Sequence, residues 1–398
     1  MKQFKGLFIF TIFTSLLLFF YSFTQVDLSL TLSKSSVYQS VEKWFQYIGY
    51  FNRPLSTELF IGILVLLFIS YFWLLYLTHK KVISNKQFWY LLLIVVCILT
   101  FSYNAFSYDI FNNIFDAKIV TFYHQNPYLH KALDFPKDPM RSFMHWTQRT
   151  YPYGPLFLLL NIGLSYLGIK IFILTFFIFK IVTSLFFLGC IYYLQKILGG
   201  WRKETLFQSA FFAFNPLVII ESIVSSHNDV IMLFFALCGL YYLMKKKYLF
   251  AILLTLCSPL IKQATFLLPI IITLYILLNK KLSLNRYSIY AIYAVVMSIM
   301  LYVYTYIGYL LPGFAIHEIQ PWYLLWVIPF IALLKPRYYL YTLFIGISLG
   351  LLLRYVPFLW LGNWDGVAIP VRNYSSLLAP LVVLGFGFIF RKYKVIKI

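Results

Sequence analysis

Apolar runs long enough to cross a bilayer recur from one end of the chain to the other. Most come close to the ~20 residues that a ~30 Å hydrocarbon core demands of a helix. The pattern predicts crossings near 6–24, 58–78, 87–104, 171–195, 205–222, 229–244, 248–261, 263–279, 287–310, 321–334, 338–353 and 373–390. These runs do not alternate apolar with polar positions, which excludes the strands of a membrane barrel. The predicted fold class is all-α, a polytopic transmembrane bundle of about 12 crossings with short re-entrant or interface helices. Residues 1–86 hold two N-terminal crossings and an outer loop, and 87–398 form a larger membrane core. The first run follows Lys2 and Lys5 like a signal peptide, but no small-x-small cleavage site follows it, so it is read as a retained helix.

Two segments interrupt this regular pattern. Residues 154–168, GPLFLLLNIGLSYLG, are apolar but short, and counting them as a crossing would place Lys245–Lys247 outside. They are therefore expected to form a re-entrant or interface helix beside a wet cavity. The stretch from Lys247 to Lys280 must go out and back, so each leg spans only about 20 Å. Its apex, CSPLIKQ, carries Lys262, which is expected to point into a cavity. In the outer loop 25–57, VYQSVEKWFQYIGYF reads as an amphipathic helix lying in the interface.

Charge fixes the orientation. The net charge is +21, from 33 Lys and Arg against 12 Asp and Glu. Twenty of the 33 fall in loops of one side: Lys2/Lys5, Lys80/Lys81/Lys86, Lys196/Arg202/Lys203, Lys245–Lys247, Lys280/Lys281/Arg286, Lys335/Arg337 and Arg391/Lys392/Lys394/Lys397. Of the acidic residues, only Glu204 joins them. The positive-inside rule then places both termini in the cytoplasm and the long loops outside, in a multi-pass protein of the cell membrane. With no free basic domain and no base-reading motif, nucleic acid is not a partner. Cys97, Cys190, Cys238 and Cys257 lie within apolar runs in no metal or redox spacing and read as small buried hydrophobes.

Ionisable groups at membrane depth are costly and so draw attention to function. FSYDIFNNIFDAKIV places Asp109 and Asp116 at the outer edge of a run, and seven residues of helix put both carboxylates on one face. A carboxylate against an apolar wall has a raised pKa and can act as a general base. His124, Asn126 and Tyr128 follow as candidate substrate contacts, and TYPYGPL, with Tyr153, fixes a tight turn into the short outer helix. SSHNDV crowds His227, Asn228 and Asp229 at an outer helix start, where N-capping is the alternative use. Lys262, Arg354 and Arg372 break the inside rule and suit a phosphate, which Arg binds bidentately and Lys as a point charge. In IHEIQPWYLLW, Trp322 and Tyr323 read as interface anchors, while His317, Glu318 and Gln320 are placed to touch a polar substrate.

Carboxylates above cations suit a lipid phosphate bearing a polar headgroup, and transfer of a sugar from such a lipid fits. At this point the chain resembles the C-fold (GT-C) polytopic glycosyltransferases that use polyprenyl-phosphate sugars. Within them it is most similar to a bacterial mannosyltransferase-like branch and, distantly, to the first mannosyltransferase of glycosylphosphatidylinositol synthesis. The resemblance rests on Asp109, FDA at 115–117, NPY at 126–128, TYPYGPL at 150–156, HND at 227–229 and QPWYLLW at 320–326, over roughly 87–390. It implies that Asp109 deprotonates the acceptor hydroxyl, that Asp229 shapes the site or holds a metal, and that Lys262 lies near the donor phosphate. It also implies inversion at the anomeric centre. The Asp-x-Asp of eukaryotic relatives is here Ser107-Tyr108-Asp109, so either Asp109 or Asp116 is the base.

The expected activity is transfer of a hexose, mannose among the options, from a polyprenyl-phosphate sugar to a glycan, lipid or protein hydroxyl on the extracytoplasmic side. No cofactor is required by this chemistry; a divalent metal, if used, would fall to Asp109 and Asp229. A lipid-linked glycan ligase or polymerase is the competing enzyme, and a transporter or flippase the competing class. Flippases usually carry paired inverted repeats with broken helices at the midplane, and no such symmetry is visible.

Overall fold

The computed structural model describes residues 2–200, 203–282, 285–310 and 318–392. Every regular element among them is helical. The chain runs α1 (Lys2–Ser22), α2 (Ser36–Gln46), α3 (Arg53–His79), α4 (Asn85–Thr100), α5 (Asp109–Thr121), α6 (Pro155–Leu167) and α7 (Phe172–Leu198). It continues through α8 (Lys203–Ala213), α9 (Pro216–Ile219), α10 (Asp229–Met244), α11 (Tyr248–Ile261), α12 (Leu267–Leu282) and α13 (Arg286–Leu310). The last elements are α14 (Ile328–Leu333), α15 (Tyr338–Leu353), α16 (Tyr355–Leu361) and α17 (Ala368–Lys392).

Among the described residues, five single segments are long and apolar enough to cross a membrane: Lys2–Gln25, Arg53–His79, Phe172–Leu198, Arg286–Val303 and Tyr338–Leu361. Several other predicted crossings are helices of 10–17 residues, short of a perpendicular span. The crossing predicted at 205–222 is a bent pair, Thr205–Ala213 and Pro216–Val224, at 55°, which together are long and apolar enough to span. Asn215 and Pro216 cause the bend. The Asn215 side chain accepts the Leu217 N–H at 3.0 Å, and proline opens the next helix because its missing N–H costs nothing there. Likewise 321–334 divides into a tight turn, Pro321–Trp326, and α14.

Residues 154–168 form the separate short helix α6, and the hairpin of α11 and α12 turns through Gln263–Thr265, both as the lengths required. On α2, Val37, Val41 and Trp44 recur at i, i+4 and i+7, and all are exposed, as are Tyr47 and Phe51 just beyond. That is the apolar face of a helix lying along an interface.

Two cores hold the molecule. The larger joins α1, α3 and α4 to the later helices, so the N-terminal pair packs into the bundle, α3 lying on α8 and α16. The smaller gathers around α5: its Ile110, Phe111, Ile114 and Phe115 pack with Met140 and Phe143 of the following loop, Leu164 of α6 and Phe176 of α7. The polar face of α5 lies between the two.

Candidate active site

α5 is separate from α4 and starts afresh at Asp109 after the loop that follows Thr100. The seven-residue spacing still aligns both carboxylates, and Asn112 and Asn113 complete an i, i+3, i+4, i+7 polar stripe opposite Phe111 and Lys118. Both asparagines are buried, and their side-chain oxygens have no hydrogen-bond partner. Asp109, in the first turn where the helix dipole favours an anion, keeps its side chain 21% exposed. Asp116 is buried, 3.4 Å from Arg149. It lies outside the membrane-spanning segments, and burial pushes its carboxyl up to about 6, with Arg149 pulling the other way.

HND reaches Asp109 from across the chain. After α9 the backbone widens into a turn over Ile220–Val224, and Ser226 takes a left-handed conformation at φ 51°. The His227 N–H donates to the Glu221 carbonyl at 3.1 Å, which folds His227 back over Glu221. The imidazole then lies between two carboxylates: Nδ1 is 3.6 Å from Asp109 Oδ2, and Nε2 is 3.3 Å from Glu221 Oε2. Tyr355 donates to the other Glu221 oxygen at 2.9 Å, and Trp322 stacks on the imidazole at 4.2 Å. From α7, the buried Lys180 ammonium donates to the Val224 carbonyl at 2.9 Å, pinning the end of the wide turn.

Asp229 and Lys262 find each other. Both Asp229 oxygens accept from the Lys262 ammonium at 2.9 Å, and the Trp326 indole N–H adds a third contact. Tyr153, Tyr323 and Trp326 surround the ammonium with aromatic faces at 5.8, 5.9 and 5.6 Å. TYPYG docks on this hairpin apex: Gly154 N–H donates to Ile261 O, Gln263 donates to Pro152 O, and Arg149 also lies over the Tyr153 ring. A Cβ at Gly154 would come within 2.1 Å of the Leu260 carbonyl oxygen, so this close approach requires glycine.

The two remaining cations also converge. Arg354 and Arg372, 3% and 9% exposed, both bind the Glu318 carboxylate. Arg354 precedes Tyr355, so this cluster adjoins the Glu221–His227–Asp109 chain. Other predicted contacts lie further out. His124 is exposed in a left-handed turn; exposed Asn126 accepts the Tyr128 N–H, and Tyr128 reaches the Tyr153 carbonyl at 3.1 Å. Gln320 caps the 321–326 turn through its carbonyl. His317, with Arg202, Lys394 and Lys397, lies outside the described residues.

Glu221 is the residue that sequence reasoning passed over, although a carboxylate inside an apolar run was its visible signal. A cavity of about 500 Å³ lies on the reverse face of α5, beside Lys118 and Lys170, away from the carboxylates. Among the described residues no three Asp, Glu, His or Cys side chains converge as metal ligands. Asp229 already spends both oxygens on Lys262, so with Asp109 it does not make a ligand set.

The sequence model of the MptA/B family, described as alpha-(1->6)-mannopyranosyltransferase, N-terminal domain, matches residues 10–279. The chain belongs to this family. It is thus a glycosyltransferase acting on mannose, built on apolar membrane helices. No curated protein and no solved structure matches it. The matched range of this mannosyltransferase includes Asp109, Asp116, HND and Lys262, whereas Trp322, Arg354 and Arg372 follow it.

Proposed function

We propose that this mannosyltransferase moves mannose from a polyprenyl-phosphate donor to an acceptor hydroxyl on the extracytoplasmic side, with inversion. From a β-linked donor, inversion gives an α linkage, in keeping with the family description. The observation that carries the reading is Asp109, a partly exposed carboxylate at a helix N-terminus with His227 and Glu221 directly behind it. In the reaction, Asp109 takes the proton of the acceptor hydroxyl as its oxygen bonds to the mannose C1. The bond from C1 to the phosphate oxygen breaks, and its electron pair leaves with the lipid phosphate.

His227 orients Asp109 and gives the proton a neighbouring station. The unpartnered amide oxygens of Asn112 and Asn113 share Asp109's face and suit sugar hydroxyls. Arg354 and Arg372 are the cations for the phosphate, since Lys262 is already matched by Asp229 and serves to hold the wall. Clustered basic residues on the opposite loops support the outward orientation.

Purified protein given polyprenyl-phosphate mannose and a mannan or lipid acceptor tests this. Asp109→Asn is expected to lower transfer by roughly a thousandfold, within the range for a general base, with the protein still folded. Full transfer by that variant would remove Asp109 from the base position. Failure of the wild type to consume this donor would remove the donor class.

A further inference from the structure

The Arg354–Arg372 cluster is a seat with more donors than its occupant can use. Glu318 Oε2 accepts from Arg354 Nη2 at 3.2 Å, and Oε1 accepts from Arg372 Nη2. The Nη1 group of each guanidinium is held elsewhere. Arg354 Nη1 donates to Asn373 Oδ1, Ser376 Oγ and the Arg372 carbonyl, and Arg372 Nη1 donates to the Trp364 carbonyl. Arg372 Nε, on the same edge as Nη2, is buried without a partner. The Nε–Nη2 edge is the fork that grips two oxygens of one anion. A carboxylate bridging two arginines offers one oxygen to each and leaves that fork half filled. A phosphate has a further oxygen and can fill it.

Charge points the same way. Two guanidiniums and one carboxylate leave the cluster at +1, and Glu318 is its most exposed member, with 31% of its side chain open. Resting on the donor reading above, we propose that Glu318 is an exchangeable occupant of the phosphate seat: it yields the two arginines to the donor's phosphodiester and reclaims them to expel the lipid phosphate after transfer. The donor diester brings one negative charge. Once C1–O cleavage has left the electron pair on the phosphate, the product carries a second. The paired arginines therefore bind the leaving group more strongly as its charge grows, which favours bond breaking but also retains the product. A tethered carboxylate at high effective concentration counters that retention.

The test is direct binding of a short-chain isoprenyl phosphate to the full-length protein in detergent, followed by turnover with the donor. Glu318→Gln keeps an acceptor for one arginine but removes the competing charge. It is expected to bind the isoprenyl phosphate roughly tenfold more tightly, the scale of one charge-assisted hydrogen bond. Its steady-state turnover should fall by more than its first-turnover rate changes. Glu318→Asp, which retains charge on a shorter arm, should lie between, and it supplies the readout if the glutamine variant does not fold. If the wild type binds and Arg372→Lys weakens it, but Glu318 variants bind no more tightly, the exchange is wrong and the donor reading stands. If none of the proteins binds isoprenyl phosphate, the donor reading itself falls.

Discussion

Asp109 and Asp116 share one face of one helix and differ in nearly everything else. Asp109 opens the helix and remains partly exposed beside His227, whereas Asp116 is buried beside Arg149. The sequence marked both, because a carboxylate at a membrane edge stands out. It did not pair them with their partners, which come from separations of 33 residues for Arg149 and over a hundred for His227. Asp116 carries a pH prediction. Its pKa is raised from 3.8 to about 6 in the folded protein, so folding holds its proton more tightly than the unfolded chain does. Its contribution is fully present below about 3.8 and is lost as pH rises through about 6, a change of about 3 kcal/mol. The thermal stability of wild type relative to Asp116→Asn should therefore decline between about pH 4 and pH 7. A difference that stays constant with pH would show that Asp116 does not titrate there.

At the scale of elements, the short pieces do the positioning. The bend at Asn215–Pro216 and the wide turn after it bring Glu221 under His227. TYPYGPL was legible as a tight turn, but not what it docks on, because the hairpin apex lies more than a hundred residues away. Gly154→Ala tests that docking. The added methyl group would overlap the Leu260 carbonyl oxygen, so the loop must move off the apex, at a cost of about 1–3 kcal/mol. Melting temperature should fall and KM should rise, since Tyr153 is one wall around Lys262. Gly163→Ala is the control on α6, where an added Cβ meets open space; it should leave stability equal or slightly higher. Equal behaviour of the two variants would dismiss the close approach as a constraint.

The whole molecule is a bundle in which α5 and the loop after it carry their own small core, with the polar face of α5 held at the seam. The charge asymmetry predicts that Lys137 of this loop faces outward and that Lys246, between α10 and α11, faces the cytoplasm; both are exposed. In a background where the four native cysteines are replaced by serine, a membrane-impermeant maleimide should label Lys137→Cys on intact cells. Lys246→Cys should be labelled only after permeabilisation. The reverse result would invert the topology and move Asp109 to the cytoplasmic side.

Sequence alone determined the helical membrane class, the lopsided distribution of charge and the chemical character of the candidate site residues. These follow from local composition and periodicity, which a bilayer enforces residue by residue. Tertiary structure decided which charges meet. Asp229 with Lys262, His227 with Asp109, and two arginines on Glu318 are long-range pairs. They were settled by how bent and shortened helices pack, because a buried charge must find a partner wherever the fold brings one within reach.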